Sequence, residues 1–133
     1  MKKSCFYILA VTVFVILSGC VPINYDITDR SQPVIVDSDG EYIKVKINER
    51  VYVPFGTLNG NVDGRNIGEC IAYNKNDSNE RYYSIMGTDD FIAEYYVDNI
   101  MSQMFFLRAE DTIGKDIEVP AFINDQGYDF RED

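Results

Sequence analysis

The chain has 133 residues, with 12 basic and 22 acidic side chains and a net charge of −10, which fits one small domain and lacks the basic footprint that nucleic-acid binding needs. It contains no histidine, so Ser-His and Cys-His nucleophile pairs, the commonest metal ligand and an imidazole pH switch are all excluded. Three cysteines, at 5, 20 and 70, are too few for a four-cysteine zinc site.

The first element is a leader. Lys2 and Lys3 precede an apolar run from Phe6 to Leu17, which is too short for a membrane span of about 20 residues. Charged start, short apolar run and small-residue end are the order of a secretory signal. It closes on Leu17-Ser18-Gly19-Cys20. Those four residues resemble the lipobox of bacterial lipoprotein precursors. The resemblance implies that Cys20 receives a diacylglycerol thioether and that the chain is cut between Gly19 and Cys20. Two acyl chains give lasting attachment, at about 0.8 kcal/mol per buried CH₂. The implied location is the outer face of the cytoplasmic membrane. An outer membrane is the alternative in a host that has one. Cleavage removes Lys2, Lys3 and no acid, so the net charge moves from −10 to −12. Cys5 leaves with residues 1–19 and Cys20 is modified. Cys70 is then alone, and its strand-like surroundings predict a buried thiol.

Residues 20–38 carry Pro22, Pro33 and several short polar side chains and read as a tether, with Val34-Ile35-Val36 apolar enough to dock as an edge strand. A single domain is expected over 39–133. Asp37-Ser38-Asp39-Gly40-Glu41 has the look of the start of a calcium loop, but alignment on Gly40 places Lys46 where the bidentate acid belongs, so a turn is expected. Tyr42 to Phe55 alternates with period two on both sides of Asn48-Glu49-Arg50, which predicts a β-hairpin with Ile43, Val45 and Ile47 on one face. Val45 to Pro54 resembles the hairpin of copper-amine-oxidase N-terminal-like domains, a short likeness that implies no catalytic residue.

Gly56, Gly60, Gly64 and Gly68 among Asn and Asp predict a loop over 56–68. Strands follow at 69–74 and 81–86, joined by the polar loop Lys75 to Glu80. Thr88 suits an N-cap, Asp89 and Asp90 suit a first turn, and Phe91, Ile92, Tyr95 and Tyr96 recur at helical spacing, so a short helix is predicted over 89–99. Gln103 to Ala109, apolar on both alternating sides, predicts a central strand. Residues 117–123 read as a last strand, at an edge because of Pro120. The expected fold class is α+β, a twisted antiparallel sheet of five or six strands with one helix. A small OB- or SH3-like barrel is the alternative.

Asp90, Glu94 and Asp98 would form an acidic stripe on that helix, offset by a partner or by an arginine such as Arg81 or Arg108. Tyr82-Tyr83 and Tyr95-Tyr96 place rings on both sides of their elements, and exposed tyrosine suits protein and sugar contacts. These seven residues are the candidate partner-binding set. No catalytic residue, metal ligand or cofactor is expected. The functional expectation is a lipid-anchored, non-catalytic domain whose partners are the membrane, through Cys20, and a cell-surface protein or peptide. The alternatives weighed are a small-ligand or calcium-binding domain and a hydrolase using two carboxylates. Apart from its leader, the chain is similar to small lipoproteins of Gram-positive bacteria, a resemblance that implies no mechanism.

Overall fold

A computed structural model describes residues 19–38 and 42–130. Nine strands form one sheet: β1 (Gln32–Val34), β2 (Val36–Asp37), β3 (Lys44–Ile47), β4 (Arg50–Leu58), β5 (Ile67–Asn74), β6 (Asp77–Ile85), β7 (Thr88–Tyr96), β8 (Phe105–Ala109) and β9 (Ile123–Asp125). The spatial order is β1-β5-β6-β7-β8-β4-β3-β2, with β9 beside the end of β4. All these pairings are antiparallel except β1 with β5. The two outermost strands, β1 and β2, are separated only by Ile35. One extended segment therefore pairs with β5, crosses the seam and pairs with β3, so the chain straps its own sheet edges into a nearly closed barrel. Gln32 Nε2 donates to Asn48 Oδ1 across that seam at 2.8 Å. Strapping removes the unpaired edges that invite other chains.

Local chemistry explains the hairpins. Asn48 and Glu49 have φ of 52° and 67°, the left-handed pair that a two-residue hairpin turn requires, and Asn adopts it readily. Burial alternates along β3, with Val45 and Ile47 inward and Lys44 and Lys46 outward. The β6–β7 turn, Met86-Gly87, places Gly87 at φ 88°.

Side chains on the two faces of the sheet form separate cores. The inner cluster runs round the barrel and includes Val45, Ile47, Tyr52, Tyr82, Ile92 and Leu107. The outer cluster includes Phe55, Cys70, Tyr83, Phe91 and Phe106 and is roofed by Ile23, Tyr25, Val62 and Phe122 from outside the strands. The Cys70 thiol is buried and lies 3.3 Å from the Ala72 carbonyl oxygen.

The structure corrects the expected α+β class. The protein is almost entirely β, and its only helical turn is a 3-10 turn at Glu110–Thr112 among the described residues. The helix expected at 89–99 is β7. Phe91 and Ala93 face the outer core while Ile92 faces the inner one, so both sides are buried and no period-two contrast marks the strand. Thr88 does make the bond an N-cap would make, since the Asp90 N–H donates to its Oγ1 at 3.1 Å, but the chain beyond it pairs with β6 and β8. The expected loop 56–68 is shorter: β4 continues to Leu58, and Ile67 and Gly68 belong to β5. Gly56 is needed because a Cβ there would meet the Asn124 carbonyl of β9. The last strand lies at 123–125, after a turn in which the Ile123 N–H donates to Pro120 O at 3.0 Å.

Candidate functional site

Leu17 and Ser18 lie outside the described residues, and Gly19 and Cys20 are exposed. The Cys20 Sγ stands 3.5 Å from Asp63 Oδ2. Asp63 is only 6 % exposed and is held by Arg65, whose backbone N–H reaches Oδ1 at 2.8 Å and whose Nη2 reaches Oδ2 at 2.5 Å. Those side-chain and backbone hydrogen bonds from Arg65 keep the Asp63 carboxyl well below the usual carboxylate range.

From Cys20 the chain runs along the outer core instead of leaving the surface. Gly64 N–H donates to Val21 O at 2.8 Å. A Cβ at Gly64 would lie 2.6 Å from Pro22 O, so only glycine admits this approach. The Tyr25 ring stacks on Tyr95 with centroids 4.5 Å apart and meets Tyr83 edge-on at 5.6 Å. Its carbonyl accepts from Tyr83 Oη and Arg81 Nη1, each at 2.9 Å. The segment expected as a tether thus roofs the domain over 21–25 and enters the sheet at β1. Beside it lies an open hollow of about 550 Å³, lined by Ile23, Tyr25, Leu58, Val62, Tyr95 and Met104. The shallow depression at Cys20 shares Ile23, Tyr25 and Val62 with it.

A second concavity opens at the end of the barrel where β3 turns into β4 and β6 into β7. Its volume is about 280 Å³; Ile47, Tyr52, Ile71 and Ile92 line it within, and Asn48 and Arg50 stand at its rim. Arg50 is a hub. Its Nη2 contacts Asp90 Oδ1 at 2.8 Å and Asp111 Oδ1 at 2.9 Å, and its Nη1 donates to Asp89 O at 2.8 Å. Tyr52 Oη donates to the same carbonyl at 2.9 Å. Hydrogen bonds from Arg50 hold the Asp111 carboxyl below its ordinary range.

The third cluster lies at the opposite end of β6 and β7. Glu80, 6 % exposed, accepts from Asn74 Nδ2 at 2.6 Å, Tyr82 Oη at 2.8 Å and Tyr96 Oη at 3.4 Å. The half-buried Glu94 carboxyl is pushed up to about 7, by burial first and by Glu80 second. Burial likewise raises the Tyr82 hydroxyl far above its usual value and pushes Tyr96 up to about 12. Two carboxyl groups with one titrating near neutrality are the raw material of acid–base chemistry. Here both Glu80 oxygens already accept hydrogen bonds from the protein, which suits a structural acceptor.

The seven candidate partner-binding residues do not form one surface. Tyr82 and Tyr83 are fully buried with bonded hydroxyls, so they are core residues and offer nothing to a partner. Tyr95 and Tyr96 lie on opposite faces of β7, one against Tyr25 and the other reaching Glu80. Asp90 belongs to the Arg50 hub, Glu94 to the Glu80 pair, and Asp98 is exposed in the loop after β7. The acidic stripe is divided along the strand, and the arginine that offsets Asp90 is Arg50 rather than Arg81 or Arg108. Arg108 stacks over Phe55 at 5.6 Å and ties Thr112 and Lys115. The hub was hidden because its members come from two hairpin turns and the 3-10 turn after β8, all distant in sequence. The one available signal is an arginine placed directly after a left-handed turn pair.

Asp39, Gly40 and Glu41 lie outside the described residues. At the turn between β5 and β6, Asn74 and Asp77 accept from the backbone N–H of Asn76 and Asn79, bonds that shape the turn. Among the described residues, no group of three or more Cys, Asp or Glu is placed to hold a metal ion. Comparison of the chain with family models, with curated proteins and with solved structures found no match.

Proposed function

We propose that the chain beginning at Cys20 is a lipid-anchored cell-surface domain that binds a protein or peptide partner without catalysing a reaction. The anchor rests on Leu17-Ser18-Gly19-Cys20 behind a charged and then apolar leader. The observation that carries the binding reading is the barrel mouth, an apolar recess rimmed by polar and charged groups. Barrel mouths are common ligand positions, and about 280 Å³ falls just below the ordinary range of small-molecule sites. A recess of that size takes one apolar side chain of a larger partner, while Arg50, Asn48 and Asp89 contact the polar surroundings. The carboxylate pair does not favour hydrolysis, because both Glu80 oxygens are bonded within the protein.

The test is capture from solubilised membranes by the intact lipidated protein and by Asp89→Lys. The Asp89 side chain is 94 % exposed, so charge reversal there alters the rim without unpacking the core. A partner retained by the parent protein and lost by the variant supports the reading. Equal recovery by both, or background proteins alone, contradicts it.

A further inference from the structure

The charged residues of this chain are unevenly placed. Residues 20–25, 57–62, 99–107 and 119–124 contain no charged side chain, although 26 % of the whole chain is charged. The fold brings these stretches together. Residues 57, 58, 62 and 102–104 line the hollow beside Ile23 and Tyr25. Leu58 pairs with Ile123, and Asn59 N–H donates to Phe122 O at 2.8 Å. The result is an uncharged flank on a strongly acidic protein. The ionised side chains bordering it include two paired sets, Asp63 with Arg65 and Glu69 with Arg30.

The loop between β7 and β8 projects from this flank. Its tip, Ile100 and Met101, is 102 % and 81 % exposed, the most exposed large apolar pair described. Two turns fix the tip: Ser102 N–H donates to Asn99 O at 2.9 Å, and Met101 N–H to Asn99 Oδ1 at 2.9 Å. A fixed, fully exposed Ile-Met pair has no role in the folded core.

Cys20 opens onto the same flank, through the walls it shares with the hollow. With Val21 bonded to Gly64, Cys20 is one residue, about 3.5 Å of chain, from the folded surface. A lipid attached there leaves the domain no slack to stand off.

We infer that the uncharged flank lies on the bilayer, with Ile100 and Met101 entering its interfacial region beside the anchor. The inference rests on the lipid-anchor reading and goes beyond it by giving the domain an orientation. Charge favours this face, because an acidic surface is repelled by anionic headgroups and the stretches that build this flank carry no charged side chain. Asp98, exposed at the start of the loop, limits entry to the tip. The barrel mouth lies at the opposite end of β7 from the tip and stays open to a partner.

The chain has no tryptophan, so a single indole reports its own position. Ile100→Trp and, as a control at the other end of β7, Met86→Trp, 59 % exposed, are made in the full chain. Each is isolated after processing and reconstituted in phosphatidylcholine vesicles with and without brominated acyl chains, and the mass of the Cys20 peptide is measured. The expected result is blue-shifted emission for Ile100→Trp, most of it lost to brominated lipid, with Met86→Trp solvent-like and unquenched. If Cys20 carries the lipid and the indole at position 100 stays solvent-like, the orientation is wrong and the anchor reading survives. If Cys20 carries no lipid, both fall.

Discussion

Tyr82-Tyr83 and Tyr95-Tyr96 are the same dipeptide on neighbouring strands, and the two faces they divide have opposite characters. On the outer face, Tyr83 and Tyr95 meet Tyr25, and the hydroxyl of Tyr83 ends on a neutral backbone carbonyl. On the inner face, Tyr82 and Tyr96 meet the Glu80 carboxylate, with Glu94 close enough to be affected by its charge. One face is completed by the segment that follows Cys20. The other is closed by the sheet itself and carries an electrostatic cost. The outer core therefore depends on the chain that follows Cys20, and the inner core on the protonation of Glu94.

The largest expected effect is on the outer face. Tyr83→Ala removes a fully buried ring that also supports Tyr25, and should cost about 3–5 kcal/mol in urea unfolding. A loss no larger than that of an exposed site would break the claim that this face is a packed core.

The next effect is on the inner face and has a sign. The Glu94 carboxyl is raised to about 7 in the fold, above an ordinary glutamate. The folded state therefore holds the proton more tightly than the unfolded state. No cost is present below the unfolded value near 4.5. The cost grows as pH rises and is complete above about 7. Glu94→Gln should remove a penalty on the order of 2–3 kcal/mol at pH 8 and flatten the stability profile between those limits. A variant less stable than the parent at pH 8 would contradict the assignment.

A matched pair of deletions sharpens the contrast. Tyr82→Phe removes a donor to a carboxylate and should cost about 1.5–3 kcal/mol, whereas Tyr83→Phe removes one to a carbonyl that Arg81 still serves and should cost about 0.5–1.5 kcal/mol. Equal losses would erase the electrostatic difference between the faces. The most local effect is expected at the roof. Tyr25→Ala forfeits a ring stack of about 0.5–1.5 kcal/mol beyond area burial, and should make 20–31 more open to limited proteolysis than the barrel strands.

Parts of this architecture are legible in the sequence. The alternation from Tyr42 to Ile47 and the turn at Asn48-Glu49-Arg50 identify the β3–β4 hairpin, because one side of β3 faces water. The strands expected at 69–74, 81–86 and 103–109 mark β5, β6 and β8, but β6 begins at Asp77 inside the expected loop 75–80, and Met86, Gln103 and Met104 lie outside the strands. β7 is not legible, since burial on both sides erases its period and leaves aromatic spacing that mimics a helix. The strap is legible only in part: Val34-Ile35-Val36 reads as an edge strand, but its two partners do not show. Two and three residues of strand carry no pattern, and only long-range pairing to β5 and β3 reveals that Gln32 to Asp37 closes the barrel. The roof escapes notice because Ile23 and Tyr25, set beside Pro22 and Asn24, resemble linker composition. The one site signal that is local in sequence is Leu17-Ser18-Gly19-Cys20, and the proposed anchor rests on it.

The most direct test of the account is the intact mass and membrane fractionation of the chain expressed in a bacterium, beside Cys20→Ser. The expected result is a membrane-bound protein that begins at Cys20 and carries a diacylglycerol there, with the variant lacking the lipid. A parent protein whose Cys20 remains a free thiol would contradict it.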